Sequence, residues 1–410
     1  MLALFAVSLT LAGAGSPATA LREEIRGLQA RTAERPSDTA AWTGLAVAWR
    51  RHARLTGDHR SDDRALEAVR SALAADPDDY QALALKGWVE AARHDFEAAV
   101  VSAREAIARQ PEDAWNHGVL ADALTELGRY PEAVEAAGRM MRLKPGAAAY
   151  SRAAHLRGLH GDREGAIALM ELAVEASSAS DPESLAWCLV MLGRERQAAG
   201  DHARAQEQYR RALRVVADYH LALFHLAESQ AAGGEHSAAI ETAERLRAAA
   251  PSVALLALLG DLHAAAGRHD VAGALYREVD AAAALRDPSK AEPRWLARFY
   301  ADQGRNLDQA IRLVEEELQT HQDVETWDGL AWALHRAGRH EQALLASERA
   351  AALGTVDARL LYHRAMIELA SGRTAEGGAR LERSLALRNL WPGEQRAAQQ
   401  RLAELRSEGR

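Results

Sequence analysis

From Ala114 to Pro145 the chain reads AWNHGVLADALTELGRYPEAVEAAGRMMRLKP, with apolar residues at helical spacing in two blocks. The first block runs to Leu127, and Gly128-Arg129-Tyr130-Pro131 has the composition of a tight turn. The second ends at Pro145, which cannot continue a helix. Leu120 and Ala121 of the first block are expected to meet Ala133 and Ala137 of the second. Such a hairpin cannot bury its apolar face alone, whereas a stack of hairpins can. The same pattern occurs upstream: Trp42, Leu45 and Ala46 lie on one helix, Ala65, Val69 and Ala72 on the next. Pro77, Pro111 and Pro145 close three successive units at a constant 34-residue spacing.

The start of each second helix carries a small residue: Ala65, Ala99, Ala133, Ala166, Ala205, Ala239, Ala272, Ala310, Ala343 and Gly377. Leu192-Gly193, Leu259-Gly260 and the closing Pro251 repeat the pattern without relying on alanine. Repeat length, small crossing residues and terminal prolines together resemble the tetratricopeptide repeat family, from about Leu21 to the C-terminus. The first-helix partner of the small residue departs from that pattern at His155 and Arg298. Two stretches break the spacing, Ser177–Ser184 (SSASDPES) and Asp287-Pro288-Ser289, and both have loop chemistry.

The expected fold class is all-α, a right-handed α-solenoid of about ten tetratricopeptide-type helix hairpins. The expected divisions are a signal peptide over 1–20, an N-terminal half-repeat helix over 21–36 and the solenoid over 37–390. A capping helix follows over 391–410, strongly charged from Glu394 to Leu405 and therefore expected to solvate the end of the stack. The signal peptide is inferred from the apolar run Leu2–Leu11, the small residues after it and Ala18-Thr19-Ala20, which places cleavage after Ala20. An uncleaved membrane anchor is the alternative there, although the run is short for a span of roughly 20 residues. The chain is expected to be exported, to a periplasmic, cell-envelope or extracellular site.

Composition narrows the choice. The hydrophobic share is 48% with only 5% aromatic, so the apolar residues are mostly the helix formers Ala and Leu. A net charge of -8 argues against nucleic acid as partner. Lys86, Lys144 and Lys290 are the only lysines; arginine supplies the remaining cations. Cys188, the single cysteine, allows no intramolecular disulfide and is expected to be buried.

The family resemblance implies that the opening helices line a concave groove that holds extended peptides or partner helices. On that register Trp88, Trp115, Trp187, Trp295 and Trp332 face the groove with Phe224, Phe299 and Tyr362. Large aromatics on a solvated face are favoured interface anchors. The densest cluster is Trp295, Phe299, Trp332, His335, Arg336, Arg359 and Tyr362, where aromatics alternate with cations and suit a carboxylate-bearing partner. Arg152, His160 and Arg194 form a smaller basic patch, balanced by Glu228, Asp261 and Asp328. The alternative is that the rings fill gaps between repeats. The Lys and Asn set with which some family members clamp a chaperone C-terminus is missing, so that mode of docking is not expected.

No GxGxxG, P-loop, HExxH or serine-nucleophile elbow occurs. The sixteen histidines recur in loose pairs, none at i, i+4 spacing and none with a cysteine beside it. No catalytic residue, no metal ligand and no cofactor is assigned. The expected function is a non-enzymatic protein-interaction scaffold whose partner is a protein or peptide. Membrane contact is expected only through an N-terminal segment left uncleaved. The alternative function is an extracytoplasmic metal- or small-ligand-binding protein.

Overall fold

The computed structural model describes residues 17–408 apart from 57, 59, 250–251 and 285–292. Most of the expected signal segment, Pro251 and the loop at Asp287-Pro288-Ser289 lie outside the described residues. Among the described residues there are 22 helices and no strand. The first, α1 (Pro17–Glu34), starts ahead of the expected cleavage point, and Leu21 and Ile25 on it are buried. Five hairpins follow: α2 (Thr39–Thr56) with α3 (Arg60–Ala75), α4 (Tyr80–Ala92) with α5 (Phe96–Arg109), α6 (Ala114–Glu126) with α7 (Tyr130–Leu143), α8 (Ala147–Leu159) with α9 (Arg163–Glu175), and α10 (Pro182–Ala198) with α11 (His202–Val215). Five more complete the stack: α12 (His220–Ala232) with α13 (His236–Ala249), α14 (Val253–Ala265) with α15 (His269–Ala284), α16 (Pro293–Gln303) with α17 (Leu307–Glu317), α18 (Val324–Arg336) with α19 (His340–Ala350), and α20 (Ala358–Ala370) with α21 (Thr374–Ala386). The last helix is α22 (Pro392–Glu408).

Local chemistry sets these boundaries. Asp79, Asp113, Asp181, Asp323 and Asp357 stand at the N-caps of α4, α6, α10, α18 and α20. Each carboxylate accepts a backbone N–H from the first turn of its helix. Within hairpins the opening helix ends in a left-handed residue, glycine at 128, 161, 200, 234, 267, 304, 338 and 372. The following N–H then reaches back five residues, as from Arg129 to the Leu124 carbonyl at 2.8 Å. This αL closure satisfies carbonyls that the helix end would otherwise leave open. Histidine takes that position in the second hairpin, where His94 has φ 63°.

Opening helices touch one another in the series α2, α4, α6, α8 and onward to α20, and all but α16 pack on the helices before and after them. They therefore lie on the inside of the curve. This explains why α14, VALLALLGDLHAA, is apolar around most of its circumference, while closing helices such as α11 keep one polar face. The crossings are tight. Ala65, Ala99, Ala133, Ala166, Ala205, Ala239, Ala310 and Ala343 have no exposed surface, and Gly377 is buried with them. A Cβ on Gly193 would collide with the Tyr209 ring and one on Gly260 with the Tyr276 ring, so the small residue at each site makes room for an aromatic.

The solenoid winds far enough to meet itself. Turns inside the third, fourth and fifth hairpins press against the links that follow α17, α19 and α21. Gln322 N donates to Glu126 O at 2.7 Å and Val324 N to the Tyr130 hydroxyl at 3.0 Å. Arg163 Nη2 donates to Val356 O at 2.9 Å, and Gln197 Nε2 to Asn389 Oδ1 at 3.2 Å. His202 Nε2 lies 2.6 Å from Arg388 O, and the Thr355 hydroxyl donates to Leu159 O. The side-chain bonds across this seam join residues 186 to 196 positions apart. His321 meets the stacked rings of His94 and Phe96 edge to face, with both centroids 4.8 Å away.

Candidate interaction surface

The concave face divides into an accessible part and a filled part. In the accessible part, Trp88 and Trp115 meet edge to face at 5.4 Å and the Arg50 guanidinium lies 4.9 Å over Trp88. Both tryptophans are half-buried. Trp187 lines a cavity of about 300 Å³ with Arg50, Arg54, Asp62 and Tyr219. Arg54, at the end of α2, crosses to Glu183 at the start of α10 at 2.8 Å. Further along, His155 on α8, Arg194 on α10 and Glu325 on α18 are exposed, Glu325 lying 3.3 Å from Arg294.

These groups sense one another. The surrounding protein and then Arg194 lower the His155 pKa. The surroundings also work to raise the Glu325 carboxyl, but Arg294, Arg194 and His155 outweigh them and hold it below the ordinary carboxylate range. Arg152 is not available to a partner: its guanidinium donates to Asp122 at 2.6 Å, Ala148 O at 2.9 Å and Gly118 O at 3.2 Å.

The C-terminal part of the groove is filled by the chain itself, which corrects two expectations. Phe299, Trp332 and Tyr362 are 3%, 4% and 4% exposed, so they are core residues rather than open anchors. Trp332 stacks on His363 at 4.2 Å with an 11° interplanar angle and donates Nε1 to Asp302 at 2.8 Å. Phe224 and Trp295 pack edge to face at 5.8 Å and remain half-buried. His335 also stacks on Trp332, at 5.2 Å; burial and the neighbouring His340 and Arg336 lower its pKa to about 4. Arg336 donates to Asp302 O at 3.1 Å.

The second correction concerns the terminal helix. It is not only a solvating cap: its outer face is exposed, but Leu390, Trp391 and Ala398 are buried in the core, and α22 packs on α14 as well as α21. Its polar face conceals an apolar stripe, Trp391, Ala398, Leu402 and Leu405, at helical spacing. The Trp391 ring sits under two guanidiniums, Arg298 at 4.2 Å and Arg359 at 5.2 Å. Glu394 Oε2 accepts Trp391 N at 2.9 Å, closing the start of the helix, while its Oε1 accepts Arg359 Nε at 2.9 Å. Against the effect of burial, Arg359 and Arg298 lower the Glu394 pKa to about 2.

Asp302, His363 and Glu394 each bring a ligand-type atom within 4.8 Å of the others. Glu394 and Asp302 are already matched to guanidiniums, Arg298 Nε lying 3.4 Å from Asp302, and His363 Nδ1 is 2.8 Å from Asp328. The arrangement is a compensated ion-pair cluster. Sequence reasoning left out Trp391, Glu394 and Arg298 as site residues. The signal for Arg298 was its departure from the small-residue pattern.

Family models described as tetratricopeptide repeat match residues 58–114 and 190–254, and a second such model matches 90–156. No curated protein matches the chain. Among solved structures, a thermophilic tetratricopeptide repeat protein from Thermus thermophilus is 22% identical, covering 42% of this chain and 91% of that one, with a TM-score of 0.38. PilW, described as a widely conserved type IV pilus biogenesis factor, is 17% identical over 50% of this chain and 93% of its own, with a TM-score of 0.44. PilF of Pseudomonas aeruginosa is 18% identical over 54% and 97%, with a TM-score of 0.43.

Proposed function

We propose that the chain is a tetratricopeptide repeat protein, as the two family-model matches support, and that it acts as a non-enzymatic scaffold of the cell envelope that holds a segment of a partner protein against its concave face. The observation that carries the reading is that three exposed groups on different opening helices, His155, Arg194 and Glu325, are near enough to influence one another's charge. Polar side chains that are reachable by water yet walled by protein can pair with a partner backbone or side chain at small additional desolvation cost. The half-buried Trp88, Trp115 and Trp187 supply aromatic anchors in the same accessible part. Mixed charge along it favours specific pairing over long-range attraction.

Export is supported by the apolar Leu2–Leu11 run and the small residues after it. Among the described residues no helix is long and apolar enough to cross a membrane.

The test is photo-crosslinking in the native host with a reactive group at position 194, and at 349 on the exposed face of α19 as control. A discrete adduct at 194 that is absent at 349 supports the scaffold. Equal labelling at both positions, or none at either, removes it.

A further inference from the structure

We infer that residues 390–408 are an internal occupant of the C-terminal groove, and that the partner segment fitting this end carries the same signature: a large aromatic at a helix N-cap and a carboxylate three residues later. The inference rests on the scaffold reading above and specifies the partner chemistry for one part of the surface.

The groove residues meet the tail with interface chemistry. Trp391 is received by Arg298 and Arg359, and the same two cations face the Glu394 carboxylate at 3.8 and 2.9 Å. Two guanidiniums thus read an aromatic face and an acid on one turn of helix, which fixes their spacing as well as their identity. The side-chain acceptor held by Arg359 belongs to the tail. The groove supplies both cations, of which Arg298 also lies 3.4 Å from Asp302, and α22 supplies the Glu394 carboxylate. Beyond this head the contact thins: Ala398 and Leu402 continue the apolar stripe, while most of α22 is polar and faces solvent.

A segment held through one aromatic, one carboxylate and a short apolar stripe can be displaced by a second segment of the same chemistry at sufficient concentration. Occupation by the tail lowers the apparent affinity for that competitor in proportion to the fraction of time the groove is open. A mixed-charge helix that begins with an aromatic-x-x-Glu head is therefore the partner element selected here.

The experiment uses the full chain and a fluorescent peptide with the sequence of residues 389–408. The expected result is weak binding to the unaltered chain, at least tenfold tighter binding to the Trp391→Ala/Glu394→Gln chain, and a loss of at least tenfold when Arg359→Ala is added. Hydrogen exchange over 392–408 reports release of the tail, and circular dichroism reports that the stack is intact. If the double substitution unfolds the stack, Glu394→Gln alone replaces it with the same expected order of affinities.

Equal peptide binding by the unaltered and tail-altered chains overturns the inference, as does no binding by a folded chain whose tail is released. A shift of the altered chain to a dimer through tail exchange also overturns it, since the occupant would then be a second copy. Capture at position 194 is independent of these results. Retained capture with failed peptide competition removes the tail inference alone; successful competition without capture removes the wider scaffold reading.

Discussion

Gly128, Gly161 and Gly200 share their turn geometry with Gly234, Gly267, Gly338 and Gly372, with φ between 68° and 81° in all seven, yet the two groups do different work. The second group closes helices and faces open space; a Cβ there would touch nothing within 4 Å. In the first group a Cβ would lie 2.5 Å from Gln322 O, 2.8 Å from Gly354 O and 2.7 Å from Leu387 O. One local motif is therefore used twice, as a helix terminator everywhere and as a bearing surface where successive windings meet. The absence of a side chain, required by φ at every turn, is what permits backbone to meet backbone at the seam.

The contrast is sharpest under substitution. Gly128→Ala combines left-handed strain with a carbonyl collision and is expected to cost about 3 kcal/mol; Gly338→Ala carries the strain alone, about 1 kcal/mol. Urea titration with hydrogen exchange at each turn separates the two, and equal costs would mean that the seam does not form in solution. Ala133→Leu and Ala343→Leu should each cost about 1–3 kcal/mol, because the helix crossing is the same inside and outside the overlap. A much larger penalty at 133 in the same titration would show that the two regions differ in more than their turns. Tyr130→Phe leaves the buried Val324 N–H without its acceptor and should cost about 1–2 kcal/mol, visible as faster exchange of the Val324 amide while the Ala133 amide is unchanged.

The seam should also respond to pH. Burial, His94 and Arg294 lower the His321 pKa to about 3, whereas burial, Asp323 and Glu325 raise that of Glu126 to about 8. The depressed histidine contributes stability that is lost as pH falls below the unfolded value of 6.5. The raised carboxyl contributes stability that is fully present below 4.5 and lost as pH rises through about 8. The two slopes oppose each other between 4.5 and 6.5, so protection of the Gln322 and Val324 amides, corrected for intrinsic exchange, should be nearly flat there and fall on either side. Glu126→Gln should remove the alkaline fall and leave the acid one; an unchanged profile would assign the alkaline loss to another group.

How much of this was legible follows from the range of each interaction. The hairpins are local, and the ten small residues from Ala65 to Gly377 mark their crossings at fixed spacing, so all ten units could be placed from the sequence. The groove register was legible for the same reason: Trp88, Trp115, Trp187 and Arg194 lie on the opening helices α4, α6 and α10. Burial within it was not: Trp332 packs against His335, Tyr362 and His363 on its own and the next opening helix, contacts that the repeat spacing does not reveal, and charged residues of α22 mask the stripe from Trp391 to Leu405. The seam left still less trace. Its contacts join residues nearly two hundred positions apart, most with a backbone atom on one side, while the glycines it needs were already explained by their turns.

Repeat proteins ordinarily assemble through neighbours alone, each unit docking on the one before it. Here the edge formed by the third to fifth hairpins must wait for a second edge made 186 to 196 residues later. At a synthesis rate of roughly 5–20 residues per second, that is about 10–40 seconds in which Gly128, Gly161 and Gly200 face water with their complement unmade. The seam thus makes the late half of the chain a requirement for finishing the early half, and gives this solenoid a slow closing step that a purely nearest-neighbour stack would lack.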